Sequence, residues 1–348
     1  MSRARDFADL AGSADAGGLT GRNLVIGGCM RVAQRGTSVS SVTSGGYKTC
    51  DRWNVFGSSF GTYTVSQSST SPDGFANSLK LDCSAADTSP AAGDHFGVQM
   101  KFEGQDLQQL QKGTSSAKSV TISFFVRSNK TGTYTIELDD RDNTRSFSKT
   151  YTISSADTWE YKTVTFAGDT TGALDDDNAN SFQLSWWLMA GSNFTSGTFT
   201  TGWEARTNAN RVSSSNVNLS DSTSNEWYIT GVQLEVGEQA TPFEHRSFGD
   251  ELARCQRYYG EYGNSSGVAV ILACARTTDN GDIKWGTFSF PTQMRADPTT
   301  TIVSANLDGA TSSSVQDSRK DSVILRTDGG GSAGATTWIK QFKSDAEL

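Results

Sequence analysis

The chain has 348 residues, room for two domains of ordinary size, with 20 % charged and 35 % hydrophobic residues and a formal net charge of −8. So acidic a protein is poorly suited to a phosphate backbone, which is bound by exchanging counterions for cationic side chains; a neutral polyhydroxylated ligand or a protein partner suits it better. Glycine is plentiful at 35, proline scarce at 5 and aromatics reach 10 %, which describes many short strands joined by small-residue turns and excludes a disordered chain.

In chain order, Ala4, Phe7, Ala8 and Ala11 recur at helical spacing. A helix that short is not stable alone, so residues 1–21 read either as a frayed terminus or as an arm that docks into a larger assembly, with a flexible linker at 12–21. The first residues lack the apolar core of a signal peptide. The longest apolar run, residues 268–275, is too short to span a bilayer, so membrane insertion is not expected.

Strands follow at close intervals. Residues 61–67 and 77–83 are split by the turn Ser71-Pro72-Asp73-Gly74, and 96–102 come next. Residues 119–127 alternate most clearly, with Val120, Ile122, Phe124 and Val126 on one face; residues 133–139 place Tyr134, Ile136 and Leu138 likewise. Residues 147–153, 160–166, 182–189 and 226–236 complete the set. In the last, Val232, Leu234 and Val236 alternate with Gln233 and Glu235, but Ile229 is out of phase; a bulge at Thr230 and Gly231 restores it. This pattern predicts an all-β, two-sheet sandwich whose core holds Ile122, Phe124, Leu184 and Trp186.

A second, smaller β domain follows. Leu252, Cys255 and Tyr259 share one face of a short helix within 247–259. Runs at 268–277 and 283–290 flank Thr278-Asp279-Asn280-Gly281, a hairpin signal. Strands are then expected at 299–304, 323–326 and 336–342. The resulting division is 1–21, an attachment segment; 22–246, the sandwich; and 247–348, the C-terminal β domain.

Three stretches carry a resemblance. They are Gly231-Val-Gln-Leu-Glu-Val-Gly237 with the ATPFEHRS and ELARCQRYY runs behind it; Met30, Ala33, Gln34, Arg35 and Gly36; and Asp51, Arg52 and Trp53. Together with the C-terminal aromatic strand and Asp-Ala-Glu-Leu end, they resemble bacteriophage tail-fibre and appendage proteins over roughly residues 22–348. The resemblance implies a carbohydrate-binding-module-like jelly roll, with an apolar strand before the Met30 turn and a strand at Asp51–Trp53. It also implies a virion location after assembly in the host cytoplasm, other virion proteins as partners, a homotrimer, and host-surface polysaccharide as ligand. A capsid decoration or adaptor protein making only protein contacts is the alternative. A polysaccharide-degrading tailspike is less consistent, because the repeated short strands of a β-helix are absent.

Chemistry is sparse. There are two histidines, His95 and His245, and none of the common zinc, hydrolase or phosphate-loop motifs, so no catalysis is expected. The acidic run from Asp139 to Asp142 lacks the glycine and glutamate of a calcium-binding helix-loop-helix, and Asp175 to Asp177 reads as a solvated turn. Jelly-roll modules of the family resembled often hold a structural calcium; Asp82 and Glu235 are the candidate ligands, and two ordinary surface carboxylates are the simpler reading. Cys29, Cys50, Cys83, Cys255 and Cys274 form no disulfide framework and are expected to be reduced, mostly buried thiols.

Aromatic placement is the strongest binding signal. In 182–189 the residues Phe182, Leu184, Trp186 and Leu188 share one face, leaving Trp187 with Gln183 and Ser185 on the other. Phe125 likewise lies with Ser123 and Arg127, and Glu137 has the same status on the neighbouring strand. A ring among polar side chains suits a sugar, whose C–H groups pack on the ring while its hydroxyls find hydrogen bonds. The candidate carbohydrate site is therefore Trp187, Phe125, Gln183, Arg127 and Glu137, with Trp203 from the 191–225 loop as a third aromatic. The competing reading is that this loop or a second subunit covers the polar face.

Overall fold

The computed structural model describes residues 21–263, 272–274, 283–307, 310–329 and 337–348. The helix expected at 4–11, the turn at 278–281 and most of the run at 268–277 lie outside the described residues. The chain divides into two compact units, residues 1–247 with Leu348, and residues 248–347.

The first unit contains β1 (Ser38–Val42), β2 (Gly46–Tyr47), β3 (Asn54–Ser58), β4 (Thr62–Ser68), β5 (Ser78–Ala85), β6 (His95–Glu103), β7 (Val120–Ser128), β8 (Gly132–Asp140), β9 (Arg145–Ile153), β10 (Glu160–Phe166), β11 (Asn180–Ala190), β12 (Glu204–Ala205) and β13 (Glu226–Val236). They form two antiparallel sheets, in the orders β1-β4-β5-β13-β7-β10 and β12-β9-β8-β11-β6-β3-β2. From β5 onward the chain changes sheet at nearly every step. This gives β5-β13-β7-β10 in one layer and β6-β11-β8-β9 in the other, the connectivity of a jelly roll. The fold is thus an all-β jelly-roll sandwich, a topology that alternation alone could not specify.

The inward phases of both sheets meet in one apolar core. Ile122, Phe124, Leu184 and Trp186 are all fully buried in it, and Phe124 packs edge-on against Trp186 across the layers at 5.5 Å. Phe60 and Tyr63 each stack on Phe96 at one end, with centroids 4.4 and 4.3 Å away. In β13 the pairing with β7 shifts between Thr230 and Gln233, the expected bulge. Gly231 adopts φ +61° there, and a Cβ on it would fall 2.6 Å from the Phe75 ring, so both backbone and space demand glycine.

Two local expectations need correction. Residues 22–37 contain no strand; Leu24 N–H instead donates to the Leu234 carbonyl at 2.9 Å. Asp51 and Arg52 form a turn, with Arg52 at φ +71°, and the strand starts only at Asn54. Side chains hold this region together: Trp53 Nε1 donates to the Gly27 carbonyl at 3.0 Å, and the Asp51 carboxylate accepts from Gln34 N–H at 3.0 Å.

In the second unit the helix Phe248–Gln256 buries Cys255 and leads into β14 (Tyr259–Gly263), so Tyr259 opens a strand and does not extend the helical face. β15 (Leu272–Cys274), β16 (Ile283–Ser289), β17 (Thr299–Asn306), β18 (Ala310–Ser318), β19 (Ser322–Gly329) and β20 (Thr337–Asp345) follow. β14, β15 and β17 all pair with β20, while β16-β19-β18 form a second antiparallel sheet. Tyr262, Phe290, Met294, Val323, Leu325, Ile339 and Phe342 make its core. Cys29, Cys50, Cys83 and Cys255 are buried thiols.

Candidate functional site

The expected sugar platform does not form, because its residues lie on three separate surfaces. Trp187, Gln183 and Glu137 are on the outer face of the β11-containing sheet, and the loop after β11 covers that face. Trp187 is 1 % exposed; its Nε1–H donates to Glu137 Oε2 at 2.9 Å, and the rings of Phe56 and Phe194 stand 5.1 and 5.3 Å away. Arg211 closes the face from above. Its Nε and Nη2 donate to the two oxygens of the fully buried Glu137 at 2.7 and 2.9 Å, and its guanidinium lies 4.9 Å from the Trp187 ring centre. Arg206 holds Asp139 through one nitrogen, Nη1, which lies 2.7 and 2.8 Å from its two oxygens. Gln183, in register between Asp139 and Lys101, is buried like Asp139. Burial pushes the Glu137 carboxyl above its ordinary range, and Arg211 opposes that shift.

Phe125 and Arg127 lie on the outer face of the other sheet. Arg127 is held by Glu226 at 3.1 Å and Asp157 at 2.9 Å and lies 4.9 Å over Tyr228, a structural clamp. Phe125 belongs to a half-buried aromatic strip. Tyr161 stands 5.0 Å away on one side and Phe75 5.5 Å away on the other, and Phe75 also meets Phe243 and His245 from the segment after β13. The proposed calcium ligands do not converge either. Asp82 stands opposite Glu226 at one end of β13 and Glu235 at the other, separated by roughly 25–30 Å of strand. Glu235 is spent on Thr241, whose N–H and Oγ1 donate at 2.8 and 2.7 Å. Among the described residues no set of three His, Cys, Asp or Glu side chains gathers as metal ligands.

Trp203 is the aromatic that reaches an open cleft. The cleft, about 490 Å³, is built from β9 (Arg145, Phe147, Lys149), the loop after β10 (Ala167 to Thr171) and the turn before β12 (Thr201 to Trp203). That is the size range of small-ligand sites. Trp203 is half-buried: its Nε1–H donates to the Ala167 carbonyl at 2.7 Å, and its ring meets Phe147 edge-on at 6.0 Å and Phe182 at 5.9 Å. The indole is thus fixed before any ligand arrives.

The polar wall is equally fixed. Asp169 accepts from Arg145 Nε at 2.7 Å and Nη2 at 3.1 Å, and from Lys112 Nζ at 3.1 Å. Lys112 also pairs with Asp140 and caps the carbonyls of Thr171 and Gly172 at 3.0 and 2.8 Å. Burial alone would raise the Asp169 carboxyl, but the hydrogen bonds from Arg145 and Lys112 outweigh it and hold the group below the usual carboxylate range. Lys149 donates to the Thr165 carbonyl at 2.6 Å, its Nζ 5.4 and 5.7 Å from the Phe147 and Phe166 ring centres.

Sequence reasoning named Trp203 but missed Arg145, Lys149 and Asp169. One signal was present: Lys149 shares a phase with Phe147, Tyr151 and Ile153, and a lysine in an apolar phase is out of place unless it reaches an opening.

No protein-family profile matches the chain, and no curated protein matches it in sequence. Among solved structures it is similar to the enzymatically active domain of tailspike protein 4 of bacteriophage CBA120 (12 % identity, TM-score 0.32), with 62 % of this chain covering 21 % of that one. It is also similar to the CBM22-1 xylan-binding domain of Paenibacillus barcinonensis Xyn10C (11 % identity, TM-score 0.28, covering 60 % of this chain and 100 % of that one). The family 11 carbohydrate-binding module of Clostridium thermocellum, in complex with a mixed-linked tetrasaccharide, is a third (11 % identity, TM-score 0.28, covering 60 % and 98 %).

Proposed function

We propose that this chain is a non-catalytic glycan-binding protein of a bacteriophage virion, of tail-fibre or appendage type, and that the Trp203 cleft is its sugar site. One observation carries the glycan reading: an indole locked in place by Ala167, Phe147 and Phe182 faces a preset row of hydrogen-bonding groups in an open cleft. Sugars bind by that combination of apolar ring and fixed polar partners. Most glycoside hydrolysis uses two carboxyl groups, one of them protonated. Among the described residues Asp169 is the single carboxylate lining the cleft, and Arg145 and Lys112 keep it ionised. The virion assignment, with other virion proteins as partners and a homotrimeric state, rests on the sequence resemblance in residues 22–348.

The test is a glycan array probed with the full chain and with Trp203→Ala, alongside immunogold labelling of virions. Wild-type binding that the substitution abolishes, on a protein that labels the particle, supports the reading. A wild-type chain that binds no glycan sinks it. A second reading, an adaptor making protein contacts alone, is favoured by the strip around Phe125, where Tyr161 is 48 % exposed. Tyr161→Ala would then release the chain from particles.

A further inference from the structure

We infer that the Trp203 cleft selects an acidic sugar, a uronic acid or another carboxylated residue, and that Lys149 is the cation that reads the carboxylate. The inference rests on the glycan reading above and deepens it. The charges around the cleft are otherwise matched. Arg145 and Lys112 are satisfied by Asp169 and Asp140 in one connected network. Glu204, next to Trp203, accepts from Asn210 Nδ2 at 3.0 Å and does not line the cleft.

Lys149 is what remains. It has no carboxylate partner among the described residues, and one of its three N–H groups goes to the Thr165 carbonyl. Its ammonium lies over the faces of Phe147 and Phe166, which supports a cation but does not neutralise it. A half-buried lysine left without an anion, in a protein of formal net charge −8, is a local positive site on an acidic molecule. An incoming carboxylate would complete the pairing that every other cation at the cleft already has. A neutral sugar would leave Lys149 partly desolvated with nothing gained.

The experiment uses the purified full chain and a panel of matched probes: oligosaccharides of galacturonate, glucuronate and mannuronate, each beside its carboxyl-reduced counterpart, titrated by calorimetry. At least one acidic member should bind about tenfold or more tightly than its reduced partner, the scale of one charge-assisted hydrogen bond. Raising the salt should erode that preference. Lys149→Gln, which removes the charge but keeps an N–H donor, should bring the ratio close to one, and Lys149→Arg should keep it. Melting curves establish that each variant is folded. Equal binding of both members of every pair, or a preference that survives in Lys149→Gln, overturns the acidic selection and leaves glycan binding standing. Failure of every probe, acidic and reduced, removes this inference; the glycan reading falls with it only if the wild-type chain also binds nothing on the glycan array.

Discussion

Replacing Arg211 tests the view that the loop after β11 is locked down over the polar face of the sandwich. Arg211 supplies two of the three hydrogen bonds to Glu137; without it, the carboxylate keeps only the Trp187 indole N–H, with Asp139 as a like-charged neighbour. Glu137 is 0 % exposed, so water cannot replace the lost donors. Breaking a buried ion pair on one side costs about 3–5 kcal/mol because it strands a charge. Arg211→Met, which keeps much of the apolar cover over Trp187, should therefore lose about 3–5 kcal/mol at pH 7, or roughly 6–20 °C in melting temperature for a unit of this size. Adding Glu137→Gln should recover most of that loss, since no net charge then remains buried.

The pH dependence supplies an independent sign. Burial raises the Glu137 carboxyl, and removing Arg211 takes away the main opposing pull. A group whose folded value lies above its unfolded one has its stability fully present below the unfolded value, about 4.3 for Glu, and loses it as pH rises through the folded value. The Arg211→Met penalty should therefore be largest at pH 7 and shrink toward pH 5. Urea denaturation followed by tryptophan fluorescence at both pH values reads it out. A loss under about 1 kcal/mol, or one that does not change with pH, would show that the pair is solvated and the loop is not a closed cover.

Three further outcomes follow from the same structure. Phe124→Ala should cost about 3–5 kcal/mol in denaturant unfolding, since the ring is fully buried between Trp186 and Tyr151. Trp187→Ala should cost a similar amount of stability, about 3–5 kcal/mol, because Trp187 packs under Arg211 and does not face a ligand; a variant that melts like wild type would reopen its place as a binding residue. Asp169, held below the usual range by Arg145 and Lys112, contributes stability that is present above about pH 4 and lost as pH falls through its lower folded value. The melting-temperature gap between wild type and Asp169→Asn should thus be widest near neutrality and close below pH 4, and a gap that widens on acidification would contradict the network.

The inward half of the sandwich is written in the alternation of its strands. Period-two alternation in β7, β8, β11 and β13 states which side chains share a face, and the face that carries most of the apolar residues must be the core. The phase slip in β13 likewise announced its bulge, because one extra residue is the cheapest way to bring Ile229 back inside. Short polar strands such as β1 and β12 carry no such period and stayed invisible.

The fate of the outward half depends on contacts between distant segments. Alternation places Trp187, Phe125 and Glu137 on polar faces, but it does not say whether those faces meet water or another segment. Arg211 lies 74 residues from Glu137 in sequence, and Arg206 lies 67 from Asp139. Those pairings come from the path of a loop whose own sequence has no periodicity. The order of strands then assigned Trp187 and Phe125 to different sheets. It also left open a cleft to which β9, the β10 exit and the turn before β12 each contribute a wall. Burial is a local demand that each strand states in its own pattern, whereas a binding site is a convergence of distant segments, which exists only once the chain has closed.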